Sequence, residues 1–155
     1  MARSYSVPTT CSTLAASAVN PYLIIVATAA SQPSIFEINS GSYATPANNA
    51  ASFNVTKGTA IGTLAGAITP SQINAVSGTA IASIFTAGNS SSALPTLSGI
   101  QLAWAQNQNT AYRWVASSPQ RMIMLPSTAS AGAGLVATNV NAAWASYHVG
   151  FHVEE

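Results

Sequence analysis

The sequence predicts an all-β fold, a jelly-roll-like antiparallel β-sandwich with at most one short helix. Three observations predict it. Short runs of β-branched and aromatic residues alternate with Pro, Gly, Asn and Ser clusters. Several runs alternate apolar with polar residues, the period of a strand that buries one face. The plentiful alanine never builds an apolar stripe at helical spacing, which argues against a helical bundle.

The elements follow in order. Tyr22–Val26, after Asn20 and Pro21, reads as a strand buried on both faces. Ile35–Ile38 is a second strand, with Ile35 and Glu37 on one face and Phe36 and Ile38 on the other. Ser42–Ala50 has loop composition. Ser52–Thr56 alternates, with Phe53 and Val55 inward, and Gly58–Gly66 reads as a short strand bounded by glycines. Thr69 and Pro70 have the form of a helix N-cap and first helical position, so a short helix is expected there. Gly88–Ser92 reads as a flexible loop. Ile100–Ala105, with Leu102 and Trp104 on one face, and Tyr112–Val115 read as the two strands of a hairpin turning at Asn107–Asn109. Met122–Leu125 is ended by Pro126, and Leu135–Val136 follows a glycine-rich stretch. In the last strand, Ala143–Glu155, Tyr147, Val149, Phe151 and Val153 share one face; His148, Gly150, His152 and Glu154 share the other. That makes about eight short strands, the signature of a sandwich or barrel. Residues 34–155 are expected to form a single β-sandwich domain, with residues 1–33 an N-terminal arm plus the first strand.

Composition excludes several classes. The chain has 155 residues, of which 5% are charged, against about 25% in an average soluble domain. Four cations and three anions are present, with no aspartate. So few cations cannot neutralise a run of phosphates, so no nucleic-acid partner is expected. Three carboxylates, two of them terminal neighbours, are too few for a calcium or magnesium site. Neutral hydroxyls and amides replace ions here, and they cost far less to desolvate when pressed against a neighbour. The composition therefore predicts a chain that works within an assembly.

Ala27-Thr28-Ala29 has the look of a signal-peptidase site, but Asn20 and Pro21 interrupt the apolar run before it, so no cleaved signal is expected. The unbroken stretch Tyr22–Ala30 is far shorter than the ~20 residues that span a bilayer, so no membrane partner is expected either. The lone Cys11 reads as a small buried side chain.

The inventory for chemistry is thin. A Ser-His-Asp triad is impossible without aspartate, and no nucleophile elbow, Walker A loop or dinucleotide fingerprint occurs. His148 and His152 share a strand face but lie about 13 Å apart, too far for one metal to take both. Arg113 sits between Tyr112 and Trp114 and points away from both; it needs an acid partner, Glu37 or a C-terminal glutamate, or several carbonyls, in a structural ion pair or an intersubunit contact. The sequence thus predicts no catalytic residues and no cofactor or metal. Trp104, Trp114 and Trp144 read as core or interface residues. Set against a sugar site, they leave a carbohydrate- or receptor-binding sandwich as a second functional reading.

Three stretches carry a resemblance: Arg3–Pro8; Pro46–Thr69, with Asn48-Asn49-Ala50, Thr59-Ala60 and Gly62-Thr63; and Asn107 to the end, with Asn107-Gln108, Tyr112–Ala116, Leu125-Pro126 and His152–Glu155. Their order resembles small capsid decoration, or cement, proteins of tailed bacteriophages, including cyanophages. The resemblance implies a jelly-roll-like sandwich on the outer surface of an icosahedral head, bound to the major capsid protein as a homotrimer. It also implies synthesis in the host cytoplasm and residence in the virion. The family pattern often has a Pro-Gly turn after the Arg-Trp strand; Ser118-Pro119-Gln120 stands there instead, which predicts a different turn. The resemblance assigns no shell-contacting residues; from the sequence itself Arg3, Tyr5, Tyr22, Arg113, Arg121, His148 and His152 are the candidate interface residues.

Overall fold

A computed structural model of the chain describes residues 3–9, 12–14, 23–28, 31–43, 46–60, 64–73, 85–91, 96–128, 131–138 and 144–155. Among the described residues there are thirteen strands: β1 (Ser4–Pro8), β2 (Ser12–Leu14), β3 (Leu23–Ala27), β4 (Ser34–Ser42), β5 (Ala50–Ala60), β6 (Leu64–Ile68), β7 (Ser71–Gln72), β8 (Phe85–Ser91), β9 (Thr96–Asn107), β10 (Tyr112–Val115), β11 (Ile123–Met124), β12 (Gly132–Thr138) and β13 (Trp144–Glu154). The front sheet runs β10-β4-β13-β1-β7, with β11 also on β4 and β2 on β13; the back sheet runs β6-β8-β3-β12-β5-β9. The two antiparallel sheets pack against each other, so the predicted all-β sandwich is the observed fold. No described helix is long and apolar enough to cross a membrane.

The alternation read from the sequence places the core. Phe53 and Val55 of β5 point inward, as do Tyr147, Val149, Phe151 and Val153 of β13, and all are essentially solvent-free. Aromatic rings join the layers. Phe53 stacks on Trp104 of its own sheet at 5.4 Å and on Tyr147 of the opposite sheet at 5.1 Å. Trp144 meets both Phe53 and Tyr147 edge-on. Trp104 lies flat on Tyr112 of the front sheet, with centroids 4.4 Å apart. Such pairs contribute about 0.5–1.5 kcal/mol each beyond the area they bury.

Pairing is non-local throughout. Among the described strands none pairs with its neighbour in sequence. This corrects the expected hairpin: β9 lies along β5 of the back sheet, while β10 crosses over and pairs with β4 of the front sheet. The turn is local, with the Thr110 amide donating to the Asn107 carbonyl at 3.0 Å, but two packing interactions send the chain across the sandwich. One is the Trp104–Tyr112 stack, which needs the two residues on opposite layers. The other is Gln106, which is 4% exposed. Its Oε1 accepts from the Ser40 hydroxyl at 2.7 Å and from Trp104 Nε1 at 3.3 Å, and its Nε2 donates to the Thr110 carbonyl at 2.7 Å. Beside it, Gln108 accepts from the Ala47 amide, and Asn107 donates to Asn48. The Asn48-Asn49 and Asn107-Gln108 stretches, far apart in sequence, thus form one buttressed end of the sandwich.

Other expectations are corrected by pairing. No helix starts at Thr69: Ser71 and Gln72 pair with Ser6 and Tyr5, and the Ile73 amide donates to the Ser4 carbonyl. The open side of β1 supplies those backbone partners, whereas an N-cap signal is only local. Gly88–Ser91 is strand rather than loop, because β3 and β6 flank β8 on its two sides. The stretch read as Gly58–Gly66 divides between the end of β5 and β6. In β4, Val153 faces Ile35 and His152 faces Glu37, so Phe36 is the extra residue of a β-bulge. Ile35 and Ile38 therefore both face the core, and Phe36 and Glu37 fall on the outer side, correcting the expected face assignment. Ser4–Pro8, expected within an N-terminal arm, is a strand between β13 and β7. Ser118-Pro119-Gln120 opens a single 3-10 turn, Pro119–Arg121.

Two predictions follow from this architecture. Refolding followed by tryptophan fluorescence will be slow for a chain of this length, in roughly the millisecond-to-second range, because every described strand pair must close a long loop first. Gln106→Leu will destabilise the chain by about 1–3 kcal/mol in a denaturant titration, because it strands buried donors on Ser40 and Trp104.

Candidate interaction surfaces

The charges divide unequally between the layers. Arg3, Glu37, Arg113, Glu154 and Glu155 belong to the front sheet or its margins, and Arg121 sits on the 3-10 turn between β10 and β11. On the back sheet the one charged residue is Lys57, half-buried at the end of β5, opposite the core residue Ala133.

The front sheet carries one ionic cluster on its outer face. The bulge at Phe36 turns Glu37 outward, directly opposite His152 of β13 and diagonal to Arg113 of β10. Arg113 Nε lies 2.6 Å from Glu37 Oε1, and His152 Nδ1 lies 3.0 Å from Glu37 Oε2. The Phe36 ring tilts against the His152 imidazole at 5.9 Å. The Arg113 guanidinium holds the Glu37 carboxyl below the usual carboxylate value, partly opposed by burial, and His152 pulls in the same direction. Glu37 in turn raises the Arg113 pKa. Arg113 is largely exposed, so the pair adds little to stability; it fixes where one cation sits on the sheet.

The candidate interface residues fall in different places. Arg113 and His152 share the Glu37 cluster, which supplies the acid partner expected for Arg113. His148 lies on the same outer face, four residues from His152 along β13, opposite Gly41. Arg3 pairs with the chain end, Nη1 to Glu155 Oε1 at 3.8 Å, reinforced by backbone hydrogen bonds in both directions. Arg121 is exposed on the 3-10 turn. Tyr5 is a correction: it is fully buried in the core, because the odd positions of β1 face inward. Tyr22 and Cys11 lie outside the described residues. Trp104 and Trp144 are buried and Trp114 packs half-buried against the core, so no row of exposed tryptophans exists for a sugar to stack on.

The sequence reading missed two features. The buried Gln106 and Gln108 were hidden because amides read as surface residues; the only signal was their position between Trp104 and Tyr112. The bulge in β4 was hidden because a strict period of two assigns Phe36 to the core. Comparisons with protein-family models, with curated proteins and with solved structures give no match to this chain.

The Glu37 cluster makes a pH prediction. A carboxyl whose pKa is depressed on folding stabilises the fold above its unfolded value, and that contribution disappears as pH falls through the lowered one. Wild type will therefore be more stable than Glu37→Gln at neutral pH, and the difference will shrink as pH drops below the ordinary glutamate value of 4.5. Urea titrations of both proteins across the acid range check this.

Proposed function

We propose that this chain is a non-enzymatic structural protein of a tailed-phage virion: a capsid decoration protein that binds the outside of an icosahedral head as a homotrimer. The observation that carries the reading is a charge-poor β-sandwich, with 5% charged residues and most of those gathered on one sheet and its margins. Neutral hydroxyl, amide and small apolar side chains can be buried against a shell without stranding ions. The resemblance of its sequence stretches to cement proteins gives the reading its particular partner, the major capsid protein.

The mechanism is mass action. A protein that binds the assembled shell and not its separated subunits stabilises the shell by the free energy of that binding. Copies seated across capsomer boundaries add buried area at each contact. No proton transfer, nucleophile or cofactor enters. The chain is made in the host cytoplasm and ends in the virion.

The test is direct. Purified protein is added to heads of the encoding phage that lack it, and the temperature at which they release DNA is measured. Saturable co-sedimentation with the heads and a raised release temperature are expected. Light scattering on the free protein should give three times the chain mass of 15.7 kDa. Absence of binding to intact heads would overturn the reading.

A further inference from the structure

Among the described residues, the back sheet ends in a strand with no second strand beside it. Among the described strands β9 is the longest, Thr96–Asn107, and only β5 lies beside it. It contains no charged residue and no proline. Open edges of this kind are normally blunted by lysine, proline, short length or a bulge. The other sheet ends here are blunted: β10 has four residues and carries Arg113, β7 has two and follows Pro70, and β6 has five with Gly66 at φ 60°. In β9 three register shifts against β5, with Gly99 at φ 74°, blunt the Thr96–Gln101 part, and Leu102–Asn107 remains in unbroken register with β5.

The outer face beside this edge is neutral as well. Two rows cross three strands: Ala105, Ser52 and Thr138, then Ala103, Asn54 and Val136. Ala103 and Ala105 are exposed, and the other four are half-buried. Farther in, Ile24 is fully buried, so the chain already covers the sheet there. The open region is the β9–β5–β12 end.

We propose that this edge and its adjoining face are where copies of the chain meet. The argument for a second copy lies in the charge pattern. Contacts near a symmetry axis bring a surface close to copies of itself, so any charge there meets its own sign. Self-contact therefore selects a charge-free patch. A different partner has no such constraint, and complementary charges ordinarily set its orientation. The front sheet, with Arg113 and Glu37, has the charges such a partner would read; the Leu102–Asn107 stretch and the rows beside it have none, and Lys57 of β5 lies outside that stretch, opposite Ser98. In a homotrimer like surfaces meet only around the threefold axis, so the β9 end lies at that axis; the number of copies rests on the proposed function.

The experiment places lysine on the edge. Ala103→Lys and Ala105→Lys change exposed side chains, so each variant is expected to keep the wild-type circular dichroism spectrum and to run as a single chain of 15.7 kDa by light scattering. Val115→Lys, an exposed change on the front sheet, is expected to stay assembled. Hydrogen exchange on wild type supplies a readout without mutation: amides of Leu102–Asn107 should gain protection as concentration rises. Folded lysine variants that remain assembled would overturn the proposal, as would a wild type that is monomeric at tens of micromolar. Wild type that assembles through β9 yet ignores heads would sink the cement reading and leave this interface standing.

Discussion

The stacking of Phe53 between Trp104 and Tyr147 is the contact on which the rest of the sandwich depends. It ties the back sheet to the front sheet at the middle of β5 and β13. Those two strands are also the hubs of their sheets: β13 is flanked by β4 and β1, and β5 by β12 and β9. Since no described strand pairs with its chain neighbour, no sheet can form from one local segment. Side-chain packing between layers must therefore fix which strands meet. Gln106 does the polar half of that task, holding Ser40, Trp104 and the Thr110 carbonyl in one buried network at the crossing from β9 to β10.

Charge and neutrality are arranged by layer. The bulge at Phe36 brings Glu37 out beside Arg113 and His152, so one of the few carboxylates neutralises an exposed cation on the front sheet. The back sheet, by contrast, shows small and hydroxylated side chains at its β9 end. That asymmetry means that one layer can be buried at low desolvation cost, while the other keeps its ions hydrated or paired.

Where the sequence reading failed, the errors share a cause. The helix at Thr69, the loop at Gly88 and the hairpin at Asn107 were all inferences from a few neighbouring residues. In each case a distant strand supplied the deciding hydrogen bonds: β1 for Ser71 and Gln72, β3 and β6 for Gly88, β4 for Tyr112–Val115. Local signals rank conformations by fractions of a kcal/mol to about 1 kcal/mol, and tertiary pairing outweighs them.

The sequence by itself determined the all-β class and the inward faces of β5 and β13, because a period of two is imposed by the pleat of a strand. It also determined the scarcity of charge and the need of Arg113 for an acid. Only the tertiary structure decided which strands are neighbours, that Tyr5 is core, that the bulge turns Glu37 to the surface, and that β9 ends the back sheet among the described strands. Those outcomes depend on register and layer, which arise from contacts between residues far apart in the chain.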